Sequence, residues 1–410
     1  MSNVSSSNGL GKYPKLRFKG FSEPWSSISF GELFTFLPNN TLSRAELNFE
    51  SGEYQNVHYG DVLIKFGPVL DAATDVLPFI TEYNDKNAHK QLLQSGDVII
   101  ADTAEDEAVG KATEIINVAT RKVVSGLHTI ACRPRVEMTP TYLGFYINSE
   151  IYHQQLYSLM QGVKVLSISK SNIEGTTLCY PTEAEQQKIC ALLNLIELKI
   201  VKQKKLLELL KKYKRGLLQR ILRHDNEWEE VSLSEVLFER KTYCEKDGTY
   251  EHATLSKEGV YGKTDRYDRD YLVMDEEKKY KITHFGDLCY NPANLKFGVI
   301  CLNTYGDAIF SPIYITFEIA NEYNKEFIGL LLTRADFINR ALKYQQGTVY
   351  ERMAVSPEDL LTMKIKVPPL ETQNRIAHIF TEWDALIRKN ESVLEGLQNG
   401  KKQLLNSLFI

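Results

Sequence analysis

The sequence predicts an α+β protein built twice over. A strand-rich globular domain, a long helix, a second globular domain and a second long helix follow one another, and the two helices pack antiparallel. Three observations predict it. The stretch "YPTEAEQQKI" from Tyr180 returns as "VPPLETQNRI" from Val367, 187 residues later. Each leads into an apolar stripe stepping by four and three residues, the seam of a coiled coil. The stretches before each lead-in share a looser order of motifs, and such self-similarity decides the architecture before any single motif does.

In chain order, residues 1–12 are rich in Ser, Asn and Gly and read as a disordered tail. Residues 13–180 form the first globular domain. "WSSISFGELF" from Trp25 is a Trp leading into alternating residues and a short helical turn. "SGDVIIADTAEDEAVGK" from Ser95 is Gly-Asp, a short apolar strand and a polar loop closing on Gly110, and "VVSGLHTIAC" from Val123 adds further strand signal. Helical spacing appears around 139–160, and "QGVKVLSIS" from Gln161 is a Gln-Gly turn before the last strand.

Residues 181–223 form the first long helix, opened by Pro181 and by Glu183 and Glu185 in its first turn. Its seam runs through Leu193, Ile196, Ile200, Gln203, Leu207 and Leu210. Ile189 to Ile221 would span about 50 Å at 1.5 Å per residue. Residues 224–367 repeat the first domain: "WEEVSLSEVLF" from Trp228, "FGDLCYNPANLKFGV" from Phe285, "AIFSPIYITF" from Ala308, a helix around 324–344 and "QGTVYERMA" from Gln346. Residues 368–410 form the second helix, with Trp383, Ile387, Asn390, Leu394 and Leu397 on its seam. The polar interruptions repeat in register: Gln203 matches Asn390, and Lys214 matches Lys401.

Composition excludes several classes. No window approaches the roughly 18 apolar residues of a membrane span, so no membrane partner and a cytoplasmic location are expected. The six cysteines (Cys132, Cys179, Cys190, Cys244, Cys289, Cys301) include no CxxC pair, which predicts free buried thiols and neither a disulfide framework nor a metal site. The net charge of −4 is unevenly spread: the first helix holds 11 basic against 4 acidic residues, the second 5 of each. Nucleic-acid binding would therefore rest on local patches or on partners. No phosphate loop and no dinucleotide fingerprint is present, and "NPAN" at Asn291 lacks the second Pro and the aromatic of an adenine methyltransferase motif. A non-catalytic adaptor is expected.

The duplicated order resembles the specificity subunits of Type I restriction–modification systems, over essentially the whole chain. "PKLRFKGFSEPW", the two Gly-Asp strand-loops, the two Gln-Gly turns and the two Pro…Gln helix lead-ins carry the resemblance. It implies that each globular half is a target recognition domain, that the halves are related by a pseudo-two-fold axis, and that the helices hold them apart. Each half would read one part of a split target on double-stranded DNA. It also implies two modification subunits that methylate adenine with S-adenosylmethionine, and restriction subunits that translocate and cut with ATP and Mg. No cofactor is expected on this chain.

Base readout needs Arg, Lys, Asn, Gln, Ser or Thr on loops that enter a groove. The first domain offers Asp102, Thr103 and Lys111, then Lys164, Ser167, Ser169 and Lys170. The second offers Asn291, Asn294 and Lys296, then Gln346, Thr348, Tyr350 and Arg352. "YGKTDRYDRDY" from Tyr261 suits either backbone contact or a solvated hairpin. Off-seam Leu195, Leu206, Leu209 and Leu218 suggest that partner subunits cover the helix pair. A scaffold that joins two proteins and binds no DNA is the alternative from another class.

Overall fold

A computed structural model describes residues 13–82, 90–222, 228–245, 248–262, 279–346 and 353–410. The chain divides into two compact units: residues 1–205 with 391–410, and residues 206–390. The sequence reads the helices as segments apart from the globular domains. In the structure each unit instead combines a globular half with one end of each long helix. The reason is apolar burial at the helix ends. Ile189, Leu193, Leu405, Leu408 and Phe409 share one core with Tyr142 and Tyr146. Leu222, Ile376 and Phe380 share another with Val231 and Phe327.

The long helices are Glu183–Ile221 and Leu370–Leu408, 39 residues each. A glutamine fixes the start of each. Gln186 donates through Nε2 to the Pro181 carbonyl (3.0 Å) and accepts from the Thr139 amide (3.0 Å). Gln373 repeats this with Pro368 (2.9 Å) and the Asn324 amide (3.0 Å). Both glutamines are buried, so each satisfies two backbone groups that water cannot reach. The repeated Pro…Gln spacing is thus a clamp between the helix and the short helices of its own unit.

The seam spacing agrees with the burial. Leu193, Ile200, Leu207 and Ile387 are buried, and Ile196, Gln203, Leu210, Trp383, Asn390, Leu394 and Leu397 are half-buried. The two lysine interruptions each meet an acid on the other helix within their own unit, Lys401 with Glu197 and Lys214 with Asp384. The two acids are themselves 187 residues apart in the sequence. In the first unit, earlier residues of one helix share a core with later residues of the other, so the strands of the seam run in opposite senses.

The first unit holds a five-stranded sheet in the order Phe34–Leu37, Thr129–Pro134, Val98–Ala101, Ala112–Ile116, Val69–Asp71. The second holds four strands in the matching order Leu237–Glu239, Ile315–Ile319, Leu288–Tyr290, Ile300–Leu302. Each unit adds a second sheet with one parallel pair: Lys122–Ser125 on Tyr54–Val57, and Ala308–Phe310 on Glu251–Ser256. Each also pairs its first strand antiparallel with the strand that leads into its helix, Ser26 opposite Tyr180 and Glu229 opposite Val367. After that first strand, Ser29 and Ser232 cap short helices, Phe30–Leu33 and Leu233–Val236.

The helices expected around 139–160 and 324–344 are each broken in two. Tyr142–Ile147 and Glu150–Tyr157 are separated at Asn148 and Ser149, whose side chains capture the Gly144 and Tyr146 carbonyls. Lys325–Leu332 ends where the Thr333 hydroxyl takes the Gly329 carbonyl, and Ala335–Ala341 follows. Short polar side chains that bond the backbone compete with helix continuation, so the breaks follow from the residues. The six cysteines are free thiols, four of them buried. No helix among the described residues is long and apolar enough to cross a membrane.

Candidate nucleic-acid interface

The Gly-Asp motifs turn out to be anchors. Asp97 is buried, accepts from the Gln94 amide (2.7 Å) and takes both Arg133 nitrogens at 2.8 and 2.7 Å. Asp287 is buried, accepts from the His284 amide (2.8 Å) and takes both Arg240 nitrogens at 2.9 and 3.0 Å. The arginines come from different strands in the two units, Arg133 within Thr129–Pro134 and Arg240 just beyond Leu237–Glu239. Planar, two-point carboxylate binding fixes where the following strand begins, Val98–Ala101 or Leu288–Tyr290.

The polar loop after that strand, or the strand itself, meets residues that follow the Gln-Gly motif in both units. In the first, Thr103 pairs with Ser167, and the Ile168 amide donates to the Asp102 carbonyl (2.8 Å). In the second, the Val355 amide donates to the Pro292 carbonyl (3.3 Å), and the Tyr290 hydroxyl donates to Val355 (3.0 Å). In the first unit the turn is pinched at its base by a two-way backbone bridge, Gln161 with Ser167, and in the second a like bridge joins Gln346 with Ala354. Between those pinches in the first unit, Val163 is fully exposed and Lys164 is exposed. Ser167 is exposed as well.

The expected site residues separate on this frame. Thr103 faces Ser167 across a strand pair of the first unit, and Lys164 lies on the turn that Gln161 and Ser167 bridge. Asn294, Lys296 and Gln346 lie on the corresponding loops of the second, with Lys296 exposed over the Phe297 ring and Gln346 donating to Asp359 (2.9 Å). Ser169 caps the helix Lys170–Glu174 by accepting from the Asn172 amide, and Lys170 lies over the Phe36 ring. Thr348, Tyr350 and Arg352 lie outside the described residues, as does most of the stretch from Tyr261 to Tyr271.

Two expected readers are corrected. Asn291 is buried, and its Oδ1 accepts from the Ala293 and Asn294 amides of its own turn (3.1 and 3.2 Å), so its polar group is used in shaping the loop. Lys111 is engaged within its own unit. Its ammonium donates to the Leu63 carbonyl (2.5 Å) at the wall of a cleft of about 550 Å³ that Lys204, Lys401 and Lys402 also line. Burial, reinforced by Lys401 and Lys204, pushes its pKa down.

Sequence reasoning missed a second strip beside Thr103. His128, on the turn between the strands Lys122–Ser125 and Thr129–Pro134, lies 3.4 Å from both Asp102 and Thr103. The Tyr59 ring meets the His128 ring edge-on at 5.3 Å. Nearby, Asp61 holds Arg44 through both terminal nitrogens at 2.9 Å, and the His58 pKa is lowered by burial and then by Arg44. These residues are remote in sequence, and only the fold brings them together. Among the described residues, no group of three or more His, Cys, Asp or Glu could hold a metal ion.

Comparison with known proteins bears on this interface. Residues 225–399 match the Type I restriction modification DNA specificity domain. A protein of Methanocaldococcus jannaschii described as a type I restriction enzyme MjaX specificity subunit is 20% identical over 394 residues, covering 85% of this chain and 86% of that protein. The S subunit of a Type I restriction–modification system from M. genitalium superposes with a TM-score of 0.57 at 14% identity, covering 97% of this chain and 99% of the other. A second structure, solved for complex assembly and conformational transition of the type I R-M system, gives 0.54 at 15% identity, covering 94% and 97%. In its duplicated architecture and across its second half, the chain is similar to the specificity subunits of Type I restriction–modification systems.

Proposed function

We propose that this chain confers sequence specificity on a Type I restriction–modification assembly by reading a two-part DNA target, one part with each unit. The observation that carries this is a repeated loop frame furnished differently. Both units set a polar loop after a buried Asp–Arg pair against the residues that flank the Gln-Gly motif, bridged as Gln161 with Ser167 and Gln346 with Ala354. The first presents Thr103, Lys164 and Ser167 there, the second Asn294, Lys296 and Gln346. A constant frame with changed side chains suits two readers of different bases. A scaffold without DNA contact would not need it, and the matched family is one of DNA specificity.

The partners follow from the same reading. Leu195, Leu206 and Leu209 remain 52, 42 and 41% exposed on the first long helix, and two adenine-methylating modification subunits covering the helices account for this apolar surface. S-adenosylmethionine belongs on those subunits, and ATP with Mg on the restriction subunits. The assembly works in the cytoplasm, where the DNA is.

Binding by the chain with its modification subunits should fall steeply with salt, since each neutralised phosphate contributes about −0.9 to the slope of log K against log salt. Lys164→Ala and Lys296→Ala should each flatten that slope by about one. Salt-independent binding would refute the proposal.

A further inference from the structure

The geometry points to His128 as a specificity-determining residue of the first unit, one that accepts a hydrogen bond from the exocyclic amino group of an adenine or cytosine in the major groove. This inference rests on the proposed DNA reading and extends it to one side chain and one kind of base edge.

Four observations carry it. His128 sits at φ 55°, in the left-handed region, while its side chain is 48% exposed. A left-handed backbone at a residue other than glycine is uncommon and is retained where its surroundings impose it. Here they do. The Asp102 amide donates to the His128 carbonyl (3.2 Å), and the buried Thr129 hydroxyl, bonded to the Gly126 carbonyl (2.5 Å) and to Ser125 (2.6 Å), locks the turn. Glycine would hold that backbone more easily, so the imidazole is present for what it offers outward.

The ring's orientation and tautomer follow from its neighbours. Tyr59 closes one side edge-on. Nδ1 faces Asp102 Oδ1 and Thr103 Oγ1, each at 3.4 Å. The Thr103 hydroxyl already donates to Asp102 (2.8 Å), so both groups present acceptors and Nδ1 carries the proton. With the proton on Nδ1 and none on Nε2, Nε2 offers an acceptor. In the major groove the complementary donors are adenine N6 and cytosine N4, whereas guanine and thymine present acceptors at the corresponding positions.

The same turn differs between the units. By strand register, Ala131 opposite Ile99 matches Thr316 opposite Cys289, which places Ile313 where the first unit has His128. Ile313 is 61% exposed, an apolar group with no folding reason to face water. A position that carries an exposed acceptor in one unit and an exposed aliphatic chain in the other varies as a readout position varies.

The test measures methylation of a duplex library, randomised in both half-sites, by the chain assembled with its modification subunits. The wild type should prefer A or C over G or T by about tenfold at one position of the half-site read by residues 13–180. His128→Gly should abolish that preference, leave the other half-site unchanged, and keep or raise the unfolding midpoint because the turn is relieved. His128→Asn, which also accepts the left-handed backbone, should retain a preference for adenine and keeps the test readable if the Gly variant does not assemble. Unchanged preferences at every position in the Gly variant would overturn the inference, as would a loss spread evenly over both half-sites in either variant. Exchange of residues 13–180 that left the target unaltered would instead count against the domain reading itself.

Discussion

The two units solve one packing problem in two ways. In the first, Glu114 lies opposite Val98 in the sheet, beneath the helix Tyr142–Ile147. In the second, the same ladder position opposite Leu288 is Leu302, beneath Lys325–Leu332. Glu114 is buried and accepts from the Thr141 and Gly144 amides at 2.6 and 2.9 Å, so a carboxyl supplies the helix start with acceptors. The second helix has its own cap, Asn324, whose Oδ1 accepts from the Phe327 amide (2.8 Å), and an apolar residue below it suffices. One fold thus tolerates a buried titratable group or none, provided the helix start is satisfied somewhere.

The largest expected difference between the units lies in the glycines above these residues. A Cβ at Gly144 would stand 2.1 Å from the Pro68 carbonyl oxygen, a backbone atom that cannot step aside. A Cβ at Gly329 would meet the Leu302 Cβ at 3.3 Å, where a few tenths of an ångström of side-chain movement is enough. Gly144→Ala should destabilise by about 3 kcal/mol or more through overpacking. Gly329→Ala should stay within about 1 kcal/mol of neutral, because the helix propensity gained by Ala offsets the tighter contact. Denaturant unfolding of both variants checks this, and equal effects would break the comparison.

Next in size is the pH response of Glu114. Burial pushes its pKa up to about 7 from 4.5, against the pull of the backbone amides it accepts from. A carboxyl raised in the folded state contributes stability below its unfolded pKa and loses it as pH rises through the folded one. The window is therefore pH 4.5 to about 7, with a loss of about 3 kcal/mol across it at 1.36 kcal/mol per unit. Glu114→Gln should remove that slope, while substitutions at Leu302 leave the pH profile as it is. Unfolding midpoints of the Gln variant that track the wild type across this window would contradict the assignment.

The smallest expected effects are at the seam. The Lys401–Glu197 pair is less exposed (18 and 25%) than Lys214–Asp384 (23 and 39%). Double-mutant cycles should give a coupling of about 1 kcal/mol for the first and less for the second, since screening weakens the more open pair. A stronger coupling at Lys214–Asp384 would reverse the ranking.

What was legible in the sequence was what repeats with a period or a spacing. Ile189 to Ile221 announces a helix because burial on one face demands steps of four and three, and Pro181 with Gln186 recurs because every such helix start needs its clamp. The breaks at Ser149 and Thr333 were harder to read, because a hydroxyl that caps and one that faces water look alike in sequence. Asn291 and Lys111 were read as DNA contacts from residue type and loop position. Their polar atoms are engaged by the Ala293 and Asn294 amides and by the Leu63 carbonyl, and neither partner leaves a mark in the sequence. His128 was overlooked for the complementary reason. Its neighbours Tyr59 and Asp102 stand far from it in the chain, and its left-handed backbone has no residue signature of its own.

If two units sharing one frame read two separate parts of one target, exchanging one unit should alter one part alone. Mapping methylated adenines in cells that carry the chain with residues 13–180 exchanged for the equivalent domain of a relative tests it most directly. The expected result is a new target in which one half is altered and the other is retained. A target changed in both halves, or in neither, would contradict it.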